Sequence, residues 1–228
     1  MISGLQRLTL LDYPGKIACT VFLGGCNFRC PFCHNGSLVV PSEISELMSE
    51  DDFFAFLDSR VGRLEGVCIS GGEPTLTPNL ADFIRKIKEK GFSVKLDTNG
   101  SRPEVLSRLI DEGLVDYVAM DIKNSPENYG KTVGIDGYDV SRVGESAALL
   151  MQGRVDFEFR TTLCRELHSE NDIEAIGKWL SGDEKFFLQS YRDEGDLLLG
   201  GFSAYTEAER RELLEILRKY IPNADLRL

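Results

Sequence analysis

The chain has 228 residues, 42% of them hydrophobic and 28% charged, with a formal net charge of −11. That length supports one substantial core, up to the size of an α/β barrel, and the composition is that of a soluble globular protein rather than a disordered or fibrous one. An acidic balance of this size argues against a nucleic-acid-binding surface, which needs clustered Lys and Arg to neutralise phosphates.

No apolar run approaches the roughly 18 residues of a membrane span. The opening residues, Met1 to Arg7, lack the basic-then-apolar order of a secretory signal. Of the six cysteines, three crowd between Cys26 and Cys33, while Cys19, Cys68 and Cys164 lie in apolar segments. Small buried thiols are common in such segments. This is not the framework of a secreted disulfide protein, so the expected location is the cytoplasm.

In chain order, residues 4–14 read as a short strand or extended arm that ends in the turn Tyr13-Pro14-Gly15. Residues 17–23 form a buried apolar strand, released at Gly24-Gly25 into the cysteine loop. Ser42 to Arg60 reads as a helix with Phe53, Phe54, Phe56 and Leu57 on its apolar face. A second strand, Gly66 to Ser70, runs into Gly71-Gly72-Glu73-Pro74. Leu80 to Lys90 is an amphipathic helix stopped by Gly91. Phe92 to Leu96 is a third strand, and a helix from Pro103 to Glu112 follows it. Val115 to Ile122 is a fourth strand, and residues 124–139 form a Gly-rich loop. Arg142 to Met151 is helical, Val155 to Leu163 is a fifth strand, and Asp172 to Leu180 is helical. Lys185 to Gln189 is a sixth strand, and Glu207 to Tyr220 closes the chain as a helix.

Short apolar strands alternating with helices of about ten residues indicate βα units and a parallel sheet. About six units are present, fewer than the eight of a closed barrel. An open doubly wound sheet has the same pattern. No repeat, low-complexity tract or long linker interrupts it, so residues 1–228 read as a single domain.

The unusual polar residues fall at strand ends. The cysteine loop follows the first strand, Gly71 to Pro74 the second and Asp97-Thr98-Asn99-Gly100 the third. Asp121-Ile122-Lys123 ends the fourth, and Arg160 lies late in the fifth. In parallel α/β proteins these ends share one rim, which carries the active site. Cys26-x-x-x-Cys30-x-x-Cys33 offers three soft thiolates, which suit an iron–sulfur cluster or zinc. A four-iron cluster usually takes four cysteines, so three leave one iron open. Zinc would need a fourth ligand, for which His34 is placed. Gly71-Gly72 lets a ligand approach the backbone, and Glu73 adds an acceptor for an ammonium group.

With Phe32 before the last cysteine, and with Gly71-Gly72-Glu73-Pro74 downstream, the chain resembles the radical S-adenosylmethionine superfamily. Tyr13-Pro14-Gly15-Lys16, Cys33-His34-Asn35, Ser70 to Thr75, Leu96 to Gly100 and Met120 to Lys123 are similar to the glycyl-radical enzyme activases. Within that group the likeness is greatest to the type that activates anaerobic ribonucleoside-triphosphate reductase. The resemblance covers nearly the whole chain. It implies a partial (β/α)6 barrel of parallel strands. It also implies a [4Fe–4S] cluster on Cys26, Cys30 and Cys33, whose open iron chelates the amino and carboxylate groups of S-adenosylmethionine. Reductive cleavage then gives methionine and a 5′-deoxyadenosyl radical, which takes a hydrogen atom from a glycine of the partner enzyme.

By the same resemblance, Glu73 and the Gly71-Gly72 backbone bind the methionine ammonium. Phe32 lies near the adenine, Lys123 contacts the carboxylate, and Arg160 contacts ribose or carboxylate. Asp97, Thr98 and Asp121 are similar to a monovalent-cation site. Each has a plainer reading: Asp97 and Asp121 as caps or turn residues, and Lys123 as a surface lysine. His34 is open between proton donor, metal ligand and hydrogen-bonded loop residue. His168 is expected to be exposed in a polar loop, and Trp179 to sit in the core. Residues 36–65 contain no cysteine, so one cluster is expected, reduced by an external flavodoxin or ferredoxin. Three functions remain. One is activation of anaerobic ribonucleotide reductase. Another is the same chemistry on pyruvate formate-lyase or a small molecule. The last is a zinc-stabilised binding module.

Overall fold

Apolar runs bounded by helices should pair as parallel strands covered on both faces, and the chain does this. The computed structural model describes residues 2–40, 48–182, 184–193 and 197–227. Its strands are β1 Ile2–Thr9, β2 Ala18–Leu23, β3 Gly66–Gly71, β4 Ser93–Thr98, β5 Tyr117–Asp121, β6 Asp156–Leu163, β7 Phe186–Ser190 and β8 Asp225–Arg227. They form one eight-stranded sheet in sequential order. β1 runs antiparallel to β2, and every later pair is parallel. β2 to β7 are the six expected strands. The strand order does not return to β1, so the sheet is a partial barrel.

The helices are α1 Gly36–Val39, α2 Glu50–Asp58, α3 Leu80–Glu89, α4 Pro103–Asp111, α5 Tyr129–Val133, α6 Ser141–Leu150, α7 Glu170–Trp179 and α8 Glu207–Arg218. The core lies between them and the sheet. Val21, Ile69, Leu96, Val118, Phe159 and Leu188 from six successive strands are all fully buried. A smaller apolar cluster of Tyr13, Ala18 and Tyr117 fills the amino end of the strands. Among the described residues no helix is long and apolar enough to cross a membrane.

Several boundaries differ from expectation for local reasons. α2 starts at Glu50 because Ser49 caps it, accepting from Asp52 N, with acidic residues in its first turn. The expected start, residues 42–47, lies outside the described residues. The Gly-rich loop holds the short helix α5, ended by Gly134 in the left-handed region. β8 is three polar-flanked residues with no period of its own. Tertiary contacts fix it: Arg227 grips Glu158 with Nη1 at 2.5 Å and Nη2 at 2.9 Å. α7 and α8 both begin with capping boxes, Ser169 with Asp172 and Thr206 with Glu209.

Candidate active site

The strand-end signals do converge. A cleft of about 240 Å³ opens at the carboxyl rim of the sheet, lined by residues from the cysteine loop and from the ends of β3 to β7. Cys26, Cys30, Phe32 and Cys33 form one side of it, Gly71 and Gly72 a second, and Asp97, Asp121, Lys123 and Arg160 a third.

The cysteine loop is held from several directions. Gly25 N donates to Leu38 O at 2.8 Å, and Arg29 N donates to Val133 O at 2.8 Å. Across the loop, Leu198 N reaches Cys33 O at 3.1 Å and Leu199 N reaches Pro31 O at 2.9 Å. Burial pushes the Cys26 thiol up to about 11 and the Cys30 thiol to about 12. A metal centre must therefore displace protons to bind there. All three thiols line the cleft, yet among the described residues no three His, Cys, Asp or Glu side chains gather close enough for one ion. His34 is also diverted from a metal role. Its Nε2 lies 2.6 Å from Arg192 O, and its ring stacks on Tyr191 at 5.5 Å. Phe32 is buried at the cleft and meets Phe202 edge-on at 6.4 Å.

The Gly71-Gly72 backbone faces the cleft, but its glycines answer first to packing. A Cβ on Gly71, at φ +126°, would meet Leu23 O at 2.2 Å, and one on Gly72 would meet Gly25 O at 2.2 Å. Gly72 N donates to Leu23 O at 2.9 Å and Glu73 N to Gly25 O at 2.7 Å, which ties this turn to the cysteine loop. Asn35 closes the contact by donating to Gly71 O at 3.0 Å.

Glu73 corrects an expectation. It is 1% exposed and lies outside the cleft lining. Its Oε1 accepts from Thr75 N at 3.0 Å, Thr75 Oγ1 at 2.5 Å and Thr98 Oγ1 at 2.8 Å, and Oε2 accepts from Asn99 N at 2.6 Å. The carboxylate that the sequence offered to a ligand ammonium is engaged by two backbone N–H groups and two hydroxyls of the protein itself. Gly71 and Gly72, by contrast, do line the cleft.

Asp97, Thr98 and Asp121, the expected cation site, come together at the cleft and make contacts of their own. Asp97 pairs with Lys95 and lies 3.6 Å from Arg160 Nη1. Asp121 takes Arg160 Nε at 3.0 Å and Lys123 Nζ at 2.9 Å. Thr98 Oγ1 donates to Glu73 and accepts from Gly100 N at 3.1 Å. Three side-chain cations thus already surround the two carboxylates. Burial pushes the Asp121 carboxyl up, but Arg160 and Lys123 outweigh it and hold it at about 2. Asp97 is lowered in the same way by Lys95 and Arg160. Lys95, Lys123 and Arg160 against Asp97 and Asp121 leave one positive charge in excess beside the cleft. Arg160 is thus mainly the bridge between the two aspartates, although it still lines the cleft.

Residues to which the sequence assigned no individual role complete the site. Asn99 fixes Glu73 through its backbone, and its side chain donates to Asn27 Oδ1 at 3.0 Å. Thr162 and Gln189 line the far wall. Lys95 is buried at 1% exposure, and its position two residues before Asp97 on the same face of β4 was the available clue. His168, expected to be exposed, is 2% exposed. Trp179 packs edge-on to Tyr129 at 6.2 Å.

Known proteins place this arrangement. The profile of the Radical SAM superfamily matches residues 20–176. A Methanocaldococcus jannaschii protein named as a glycyl-radical enzyme activating enzyme is 35% identical, over 100% of this chain and 95% of its own. The pyruvate formate-lyase-activating enzyme of Clostridium pasteurianum is 32% identical over 60% of this chain and 60% of its own. The crystal structure of Streptococcus suis SuiB bound to S-adenosylmethionine shares the fold, with a TM-score of 0.68 and 16% identity over 91% of this chain and 51% of that one. The chain belongs to the radical SAM superfamily and is an enzyme of that family, with a [4Fe–4S] cluster and S-adenosylmethionine as its cofactors.

Proposed function

We propose that this enzyme generates a glycyl radical on anaerobic ribonucleoside-triphosphate reductase. The match to the Methanocaldococcus jannaschii protein, over 100% of this chain and 95% of that one, supports the activase part of this reading, and the choice of target rests on the likeness of the short strings described above. In this reading Cys26, Cys30 and Cys33 hold the cluster. Gly71 and Gly72 meet the ammonium of S-adenosylmethionine through their backbone, Phe32 lies against the adenine, and Lys123 meets the carboxylate. When bound, cluster and cofactor supply a one-electron carbon–sulfur cleavage that ends in abstraction of a hydrogen atom.

The protein's own share is placement and exclusion of water. The cysteine loop is pinned to β3, so cluster and ligand move as one body. The excess positive charge beside the cleft suits a carboxylate. A fixed geometry matters because a carbon radical reacts with whatever C–H bond lies nearest. Residues 36–65 hold no cysteine, so a single cluster is proposed, with flavodoxin or ferredoxin as reductant. A second target, pyruvate formate-lyase, is favoured by the 32% identity to the Clostridium pasteurianum activase.

The test is electron paramagnetic resonance of the reconstituted, reduced enzyme mixed anaerobically with each candidate partner and S-adenosylmethionine. A glycyl signal on the ribonucleotide reductase is expected. A signal on pyruvate formate-lyase alone moves the assignment to that partner, and silence from both removes the activase reading.

A further inference from the structure

We propose that His168 and Tyr129 are positioning residues that clamp the peptide of Lys123 and so aim its ammonium into the cleft. The proposal rests on the reading of Lys123 as the carboxylate contact. Lys123 follows the end of β5, where a lysine on a loop would ordinarily swing free. Here both sides of its peptide are taken. Its N–H donates to Tyr129 Oη at 3.3 Å, and its carbonyl oxygen lies 2.8 Å from His168 Nε2.

The tautomer of His168 follows from its partners. Lys123 O can only accept, so Nε2 carries the proton. Cys164 N can only donate, and it lies 3.1 Å from Nδ1, which therefore accepts. The Cys164 carbonyl, 3.2 Å from Nδ1, is then no partner of the ring. A neutral imidazole satisfies both contacts at once, and burial favours the neutral form.

Each half of the clamp is itself immobile. His168 N donates to Cys164 O at 2.9 Å, and the Tyr205 hydroxyl donates to His168 O. Tyr129 is fully buried, stacked on Tyr138 at 5.8 Å and met edge-on by Trp179 at 6.2 Å. The neighbours are tied down too. Ile122 N donates to Arg160 O at 2.8 Å, and Asn124 Nδ2 donates to Thr132 Oγ1 at 2.7 Å and Leu167 O at 2.8 Å. The stem of Lys123 thus starts from a fixed Cα, and its Nζ rests on Asp121 at 2.9 Å. Fixing the start of a flexible side chain lowers the entropy lost when its tip engages a ligand. Residues 124–139 thereby serve the cofactor side of the cleft.

The test measures equilibrium binding of S-adenosylmethionine to the anaerobically reconstituted protein, with iron content and melting temperature recorded for each variant. Lys123→Met should weaken binding about tenfold and His168→Leu about fivefold, as expected for loss of a charge-assisted contact and of its support. In the Lys123→Met background, His168→Leu should add less than about twofold, because coupled residues are not additive. His168→Gln offers an amide oxygen to Cys164 N and an amide N–H to Lys123 O, and should restore near-normal binding. Tyr129→Phe keeps the ring packing, and should show a smaller loss confined to the background that retains Lys123. It carries the same cycle if His168→Leu does not fold. Unchanged binding in Lys123→Met overturns the reading of Lys123 and the clamp with it. Weakened binding in Lys123→Met beside normal binding in the clamp variants overturns the clamp alone. Equal losses from the clamp variants in both backgrounds do so as well.

Discussion

Two walls of the cleft each bury carboxylates, and they do so by opposite means. On the β3 side Glu73 is surrounded by neutral donors: Thr75, Thr98 and the Asn99 backbone. Burial pushes its carboxyl up. On the β4 to β6 side Asp97 and Asp121 sit among Lys95, Arg160 and Lys123, and both are held down against their burial. The first arrangement ties the segment after β3 to the end of β4 beside the glycines that line the cleft. The second leaves surplus positive charge at the cleft. One wall supplies shape and the other supplies field.

Breaking the charged wall should have the largest effect. Asp97→Ala leaves the buried Lys95 without its partner and should cost about 3–5 kcal/mol of stability. Urea unfolding checks this, and a loss below about 1 kcal/mol would mean that the lysine finds another partner. Next, Glu73→Gln turns one acceptor oxygen into a donor facing donors, and should cost about 1–3 kcal/mol. S-adenosylmethionine should bind more weakly to this variant, because Thr98 and Asn99 at the cleft lose their link to the segment after Gly72, while iron content stays unchanged.

Stability against pH separates the walls more finely. Asp121 has a folded value of about 2, below its unfolded value of about 3.9. Its contribution is complete above the unfolded value and is lost as pH falls through the folded one. The stability advantage of wild type over Asp121→Asn, about 1–2 kcal/mol at neutral pH, should therefore shrink below about pH 4. Glu73 is shifted the other way. Measured against Glu73→Ala, which removes the carboxyl without putting a donor in its place, the advantage should not shrink as the pH falls through the range where that of Asp121 does. Parallel slopes in the two comparisons would erase the distinction between the walls.

Much of this was legible in the sequence, and the gaps have physical causes. Six parallel strands follow from apolar runs punctuated by glycine, and residues at strand ends share a rim in any such sheet. The cysteine triplet and the glycine pair are local strings, so they survive reading in one dimension. Partners are not local. Glu73 looked like a free acceptor because nothing in its own segment announces Asn99, 26 positions along the chain. The pairing of the two aspartates with Arg160 was equally hidden, because that partner arrives from β6. His168 looked exposed for the same reason, since Lys123 lies 45 positions away. β8 was missed because three residues carry no period, and it is set by the grip of Arg227 on Glu158.

The division of labour between the walls is tested most directly by removing one charge from the ligand instead of the protein. Binding of S-adenosylmethionine and of its decarboxylated analogue should be measured on wild type and on Lys123→Met, both reconstituted with the cluster. The charged wall has work to do only when the ligand carries its carboxylate. The substitution should therefore weaken S-adenosylmethionine about tenfold, near 1.4 kcal/mol, and leave the analogue unchanged. An equal loss for both ligands would contradict the assignment of that wall to the carboxylate.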